Sequence, residues 1–256
     1  MQKYLSIFKY SLKMNMTFIF DYVFSTISYA IHMIVFSCLW DFILKDGSMY
    51  GYDRNELIWY VIIAEFITYS ASRFYKKISD MVKDGTIANL LIKPINVLTY
   101  ILCEQSADIL KIGINLIAAI ILGIFLADPI KLTFVQILLV ILACILSFVI
   151  STLIQFIIGL IAFYIEETKS VWFIVQKIQF LLVFVPIEFY SKFVQKLLML
   201  SPTTHMIYAP GTIFVNFELN SAISAILMQL IMIGIMAIST MILYRKGVKK
   251  INVNGG

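Results

Sequence analysis

The chain has 256 residues, of which 61% are hydrophobic and 14% charged, with a formal net charge of +5. A soluble domain carries about 25% charged residues, so this composition excludes a water-covered globule. The lysines sit at the ends of apolar runs and form no aromatic-lined groove; this excludes a nucleic-acid surface and points to orientation across a membrane.

Residues 1–17 predict an amphipathic helix. Leu5, Phe8, Leu12 and Met16 share one face and Lys9 and Lys13 flank it. Such a helix is expected to lie along the interface, with apolar side chains in lipid and lysines toward anionic headgroups. Apolar runs that read as spans follow at 18–43, 57–73, 97–126, 133–162, 171–188 and 221–244. The first run is longer than a signal-peptide core and lacks a small-residue cleavage site, so it is expected to remain as a span. The expectation is a single all-α polytopic domain over 1–256 with six transmembrane helices.

Between the second and third runs lies the polar connector 76–96, KKISDMVKDGTIANLLIKPIN. If the runs span, 13 Lys and Arg fall with this connector and both chain ends on one side, against 5 on the other. That asymmetry places the connector and both termini in the cytoplasm. Within the connector, Ile78, Met81 and Val82 form an apolar stripe with Lys76, Lys77 and Lys83 around it, a pattern suited to a helix docked in a groove. Gly85 is expected to end that helix at a positive φ. Pro94 marks re-entry into the membrane, with Leu90 and Leu91 at the interface.

Residues 189–220 fall on the outer side yet are mostly apolar. Pro202 and Pro210 are expected to divide them into two short helices that dip into the outer leaflet or cap the bundle.

Ionisable residues inside spans are functional candidates, because a charge at the bilayer centre costs about 2.5–3.5 kcal/mol on insertion scales. Glu65 lies mid-run. Glu104, Asp108 and Lys111 form a row on one helical face, and Asp108 and Lys111 are spaced to pair. Lys177 lies in the fifth run with Gln176 and Gln179. The row is compatible with interfacial hydration, an interhelical polar contact, or the lining of a translocation path.

Catalytic signatures are sparse. None of the 11 glycines begins a G-x-x-x-x-G-K-[ST] loop, so a nucleotide-driven process needs its P-loop on another polypeptide. His32 and His205 lack metal-ligand spacing and read as packed or interfacial histidines. Glu166 and Glu167 read as a solvated turn. Cys38, Cys103 and Cys144 have no C-x-x-C spacing and read as small apolar residues. No metal or cofactor is expected in this chain.

The connector reads K-x-G-T-I-x-x-L-L-I-K-P-I-N, formed by Lys83, Gly85, Thr86, Ile87, Leu90, Leu91, Ile92, Lys93, Pro94, Ile95 and Asn96. It resembles the stretch after the second span in ABC-2-type permeases of bacteria. The run Leu200-Ser201-Pro202 through Tyr208-Ala209-Pro210 resembles a second signature of that branch. The resemblance extends along essentially the whole chain. It implies a transport subunit, usually of an exporter, in the bacterial plasma membrane. It also implies a separate ABC ATPase subunit carrying ATP and Mg, and a second permease, identical or different. The connector, through Ile78, Met81, Val82, Lys83, Gly85, Leu90 and Pro94, is then expected to rest in a groove on the ATPase. Competing readings are a non-catalytic immunity or scaffold protein of the membrane and an intramembrane hydrolase centred on Glu166 and Glu167. No residue pattern specifies the substrate.

Overall fold

The computed structural model describes residues 2–17, 19–44, 47–165 and 167–254, and every regular element among them is helical. In chain order these are α1 (Gln2–Thr17), α2 (Ile19–Leu44), α3 (Arg54–Ser70), α4 (Tyr75–Lys83), α5 (Thr86–Leu91) and α6 (Val97–Gln105). They continue as α7 (Ile109–Leu126), α8 (Phe134–Leu160), α9 (Lys169–Phe184), α10 (Lys192–Met199), α11 (Pro202–Val215) and α12 (Leu219–Asn254).

Helix starts are set by local side chains. Asp53 accepts from the Glu56 N–H at 2.8 Å while Glu56 Oε2 accepts from the Asp53 N–H at 2.9 Å, a reciprocal cap on α3. Thr133 and Gln136 do the same for α8. Asn96 Oδ1 accepts from the Thr99 N–H at 3.0 Å and starts α6.

Four segments are long and apolar enough to cross a membrane: Ile19–Leu44, Val97–Leu126, Phe134–Phe163 and Leu219–Lys250. The second of these is not one continuous α-helix, because a 3-10 turn at Ser106–Asp108 separates α6 from α7. The segments expected at 57–73 and 171–188 appear as α3 with 17 residues and α9 with 16. At about 1.5 Å per residue, each falls just short of a 30 Å hydrocarbon layer. The long helices α8 and α12 carry many exposed Ile, Leu and Met side chains, such as Ile141, Ile145, Leu230 and Ile238, as lipid contact requires.

The core gathers around α3, which is buried along almost its whole length from Leu57 to Ile67. It packs against α2, α7, α9 and α11. Tyr29 of α2 donates its hydroxyl to the Ile62 carbonyl at 3.0 Å, and Tyr60 of α3 donates to the Leu182 carbonyl at 2.8 Å. A helix so enclosed is apolar on all sides because it meets protein on all sides.

Residues 189–220 do contain two short helices, but their division differs from the sequence expectation. Pro202 begins α11 at its first turn, where no N–H is needed. Pro210 lies inside α11 without breaking it. The Met206 carbonyl, which a proline at 210 cannot serve, accepts instead from Ser147 Oγ of α8 at 2.6 Å. Next to it, Gln229 of α12 donates to the His205 carbonyl at 3.0 Å. Polar side chains of neighbouring helices thus stabilise a buried, proline-containing helix. α11 is a core element, whereas α10 has no buried residue.

Close approach of α11 to α3 depends on Gly211: a Cβ there would lie 2.6 Å from Cδ2 of the fully buried Tyr60. Gly211→Val is therefore expected to lower the melting midpoint of the detergent-purified protein by the equivalent of about 1–3 kcal/mol. An unchanged midpoint would show that α11 and α3 separate freely.

Candidate coupling site at the connector

The connector is a pair of short helices turned at Gly85, which adopts φ 76° in the left-handed region as expected. Asp84 Oδ1 accepts from the Thr86 N–H at 2.8 Å. The Thr86 hydroxyl and then its backbone N–H hold the Asp84 carboxyl below its ordinary range.

The apolar stripe points inward, and this corrects the groove-docking expectation for Ile78 and Met81. Ile78 is 0% exposed and Met81 8%. They join Ile87 and Leu90 of α5 and Phe156, Leu160 and Phe163 of α8 and its following turn in one apolar cluster, with Val82 partly buried against it. Gly159 makes room for Ile78, since a Cβ at 159 would lie 2.6 Å from the Ile78 Cβ. Amphipathic α4 found its groove within its own chain. What remains outward includes Lys76, Asp80, Lys83, Asp84, Asn89 and Lys93, with Ile92 exposed at 84%. Pro94 is exposed too, its carbonyl accepting from Lys3 Nζ.

Polar contacts hold the connector at its entry and exit. Tyr75 N–H donates to Gln155 Oε1 at 3.1 Å, Thr168 Oγ1 donates to Ser79 Oγ at 3.0 Å, and Tyr75 stacks on Trp172 with centroids 5.2 Å apart. At the far end, the Asn96 N–H donates to the Tyr4 hydroxyl at 3.0 Å, which fastens α1.

The row Glu104, Asp108 and Lys111 makes contacts to other elements, and no ion pair joins Asp108 to Lys111, although their spacing permits one. Glu104 pairs with Lys77 of α4. Asp108 Oδ1 accepts from Asn15 Nδ2 of α1 at 2.9 Å and from the Tyr22 hydroxyl of α2 at 3.1 Å, while Oδ2 accepts from Ser72 Oγ. Lys111 Nζ reaches the Ala71 carbonyl at 3.4 Å. One turn on, Asn115 donates to Ser70 Oγ at 3.2 Å and accepts from Thr26 Oγ1 at 2.7 Å. Residues 108, 111 and 115 therefore meet 72, 71 and 70, the three residues where α3 gives way to the connector. Asn115 was missed by sequence reasoning, although it continues the same helical row.

Glu65 lies elsewhere, between α2, α3 and α9. Its Oε1 is 3.3 Å from His32 Nδ1, which is 3.1 Å from the Tyr69 hydroxyl. These residues line a cavity of about 200 Å³ with Arg73, Gln176 and Lys177. His32, read from the sequence as a packed or interfacial histidine, is thus the partner of Glu65. His205 is buried and its Nε2 bonds the Met199 carbonyl at 2.9 Å. Glu167 accepts from the Lys169 N–H at 3.0 Å in a turn, and Glu166 lies outside the described residues.

The architecture defines a helical multi-pass membrane protein whose connector is integrated with its bundle. The protein-family model described as ABC-2 family transporter protein matches residues 27–255, and the chain belongs to that family. Membership makes it a membrane permease component of an ATP-binding-cassette transporter. No curated protein matches the chain.

Proposed function

We propose that this chain is the permease of an exporter powered by a separate ATPase that docks on the outward face of α4 and α5. The supporting observation is the tie between connector and bundle: Ser70, Ala71 and Ser72 at the connector's entry are bonded by Asn115, Lys111 and Asp108. A push on α4 is thereby delivered to α3, α6 and α7 together. ATP and Mg belong to the ATPase, and this chain supplies no catalytic group.

In this reading α3 and α9 complete a set of six spans with the four longer segments. The connector and both termini face the cytoplasm of a bacterial plasma membrane, and α1 rests its exposed Leu5 and Met16 in lipid. A second permease covers the face bearing His32 and Lys177, since such polar groups are tolerated at membrane depth only against protein or a water-filled cavity.

The test is charge reversal on the outward face. Lys83→Glu with Lys93→Glu is expected to leave insertion and melting unchanged and to reduce co-purification with the ATPase at least tenfold. Full ATPase recovery with this double variant would remove α4–α5 as the docking element.

A further inference from the structure

A second site lies at the other end of the bundle. Tyr52 precedes α3 and Glu188 follows α9, so both are at the ends of those helices opposite the connector. With α11 and the start of α12 they enclose an open cavity of about 490 Å³. We propose that this cavity binds a primary ammonium or guanidinium group carried on a molecule with an apolar body.

Charge is the first reason. Among the residues lining the cavity, Glu188 and Glu218 carry formal charges, and no lysine or arginine lines it. Arg54, close to Tyr52 in sequence, is committed to Asp41. The second reason is how that charge is held. The Glu188 carboxylate meets the hydroxyls of both Tyr208 and Tyr52 at the cavity wall, so it is fixed in place by neutral phenols with no cation beside it among the lining residues. An N–H cation supplies the opposite charge that two phenols do not.

The remaining lining matches that ligand. His205 commits its Nε2 to the Met199 carbonyl, so that nitrogen does not compete for the ligand's place. Tyr52 and Tyr208 add aromatic surface, which attracts cations and apolar bodies. Asn216, Glu218 and Asn220 are exposed at the mouth, with Glu218 Oε2 accepting from Ser221 Oγ at 2.8 Å. A bare metal ion is a poorer fit: no group of three or more His, Cys, Asp or Glu able to hold one occurs among the described residues.

The site is tested on the full chain in nanodiscs of zwitterionic lipid without any ATPase, so its failure leaves the permease reading where it stands. The probe is dansylcadaverine, a primary ammonium on an aromatic body, followed by its fluorescence. The expected result is saturable binding displaced by arginine amide and not by propionamide. Glu188→Gln preserves size and the acceptor for Tyr208 while removing the charge, and is expected to weaken binding at least tenfold. Ser224→Trp fills the cavity from the exposed side of α12 and is expected to abolish binding; it carries the test by itself if Glu188→Gln fails to fold. Wild-type binding in Ser224→Trp, or in folded Glu188→Gln, would overturn the site. So would displacement by magnesium at the concentration at which arginine amide acts, since that reports diffuse surface charge.

Discussion

Asp108→Ala is expected to lower the melting midpoint of the purified chain by the equivalent of about 2–4 kcal/mol and to uncouple ATP hydrolysis from transport in the assembled complex. The alanine leaves Asn15, Tyr22 and Ser72 without their shared acceptor. Hydrogen bonds to a charged group are worth about 1.5–3 kcal/mol each, and water recovers part of that at a half-buried site. Asp108→Asn keeps an acceptor for Asn15 and Tyr22, and Ser72→Ala removes one contact only. Both are expected to melt within about 1 kcal/mol of wild type. Asp108→Ala melting together with those two would mean that the node does not hold α1, α2 and the end of α3.

The second large effect concerns the inward face of α4. Ile78→Asp is expected to abolish recovery of monodisperse protein, because it buries a carboxylate among Phe74, Phe156 and Leu160 with no partner. The milder Ile78→Ala removes packing alone and is expected to cost about 2–4 kcal/mol. Size-exclusion profiles and melting curves decide the matter. If Ile78→Asp stayed folded and lost only the ATPase, the stripe would face the partner, as its amphipathic pattern first indicates. This contrast with the Lys83 and Lys93 variants separates a helix anchored by its apolar side from one docked by it.

Apolar runs and lysine positions made the helical class legible, and Gly85 was legible because few residues other than glycine turn the chain at a positive φ. Longer-range causes were not. The run 97–126 contains no helix breaker around Ser106–Asp108, and the turn there accompanies side-chain contacts from three distant elements. Pro210 reads as a break until Ser147, 59 residues before Met206, supplies the missing donor. The partner of Glu65 lies 33 residues away on another helix. The two-sided character of α4 is plain in its residues, but an apolar stripe tells only that a face is covered and not whether the covering surface is in the same chain. The row 104, 108, 111 was legible by period alone, and its extension to Asn115 needed only one more turn.

The seating of α4 also orders the synthesis of the molecule. Tyr75 bonds a residue 80 positions later, and Phe74 and Ile78 pack on Phe156 and Gly159. At about 5–20 residues per second, those partners leave the ribosome roughly 4–16 s after the connector does. Through that interval Phe74, Ile78 and Met81 have no surface of their own chain from α8 to cover them. The nascent connector thus presents an apolar face uncovered by α8 until that helix emerges, and a chain arrested before residue 156 keeps it so.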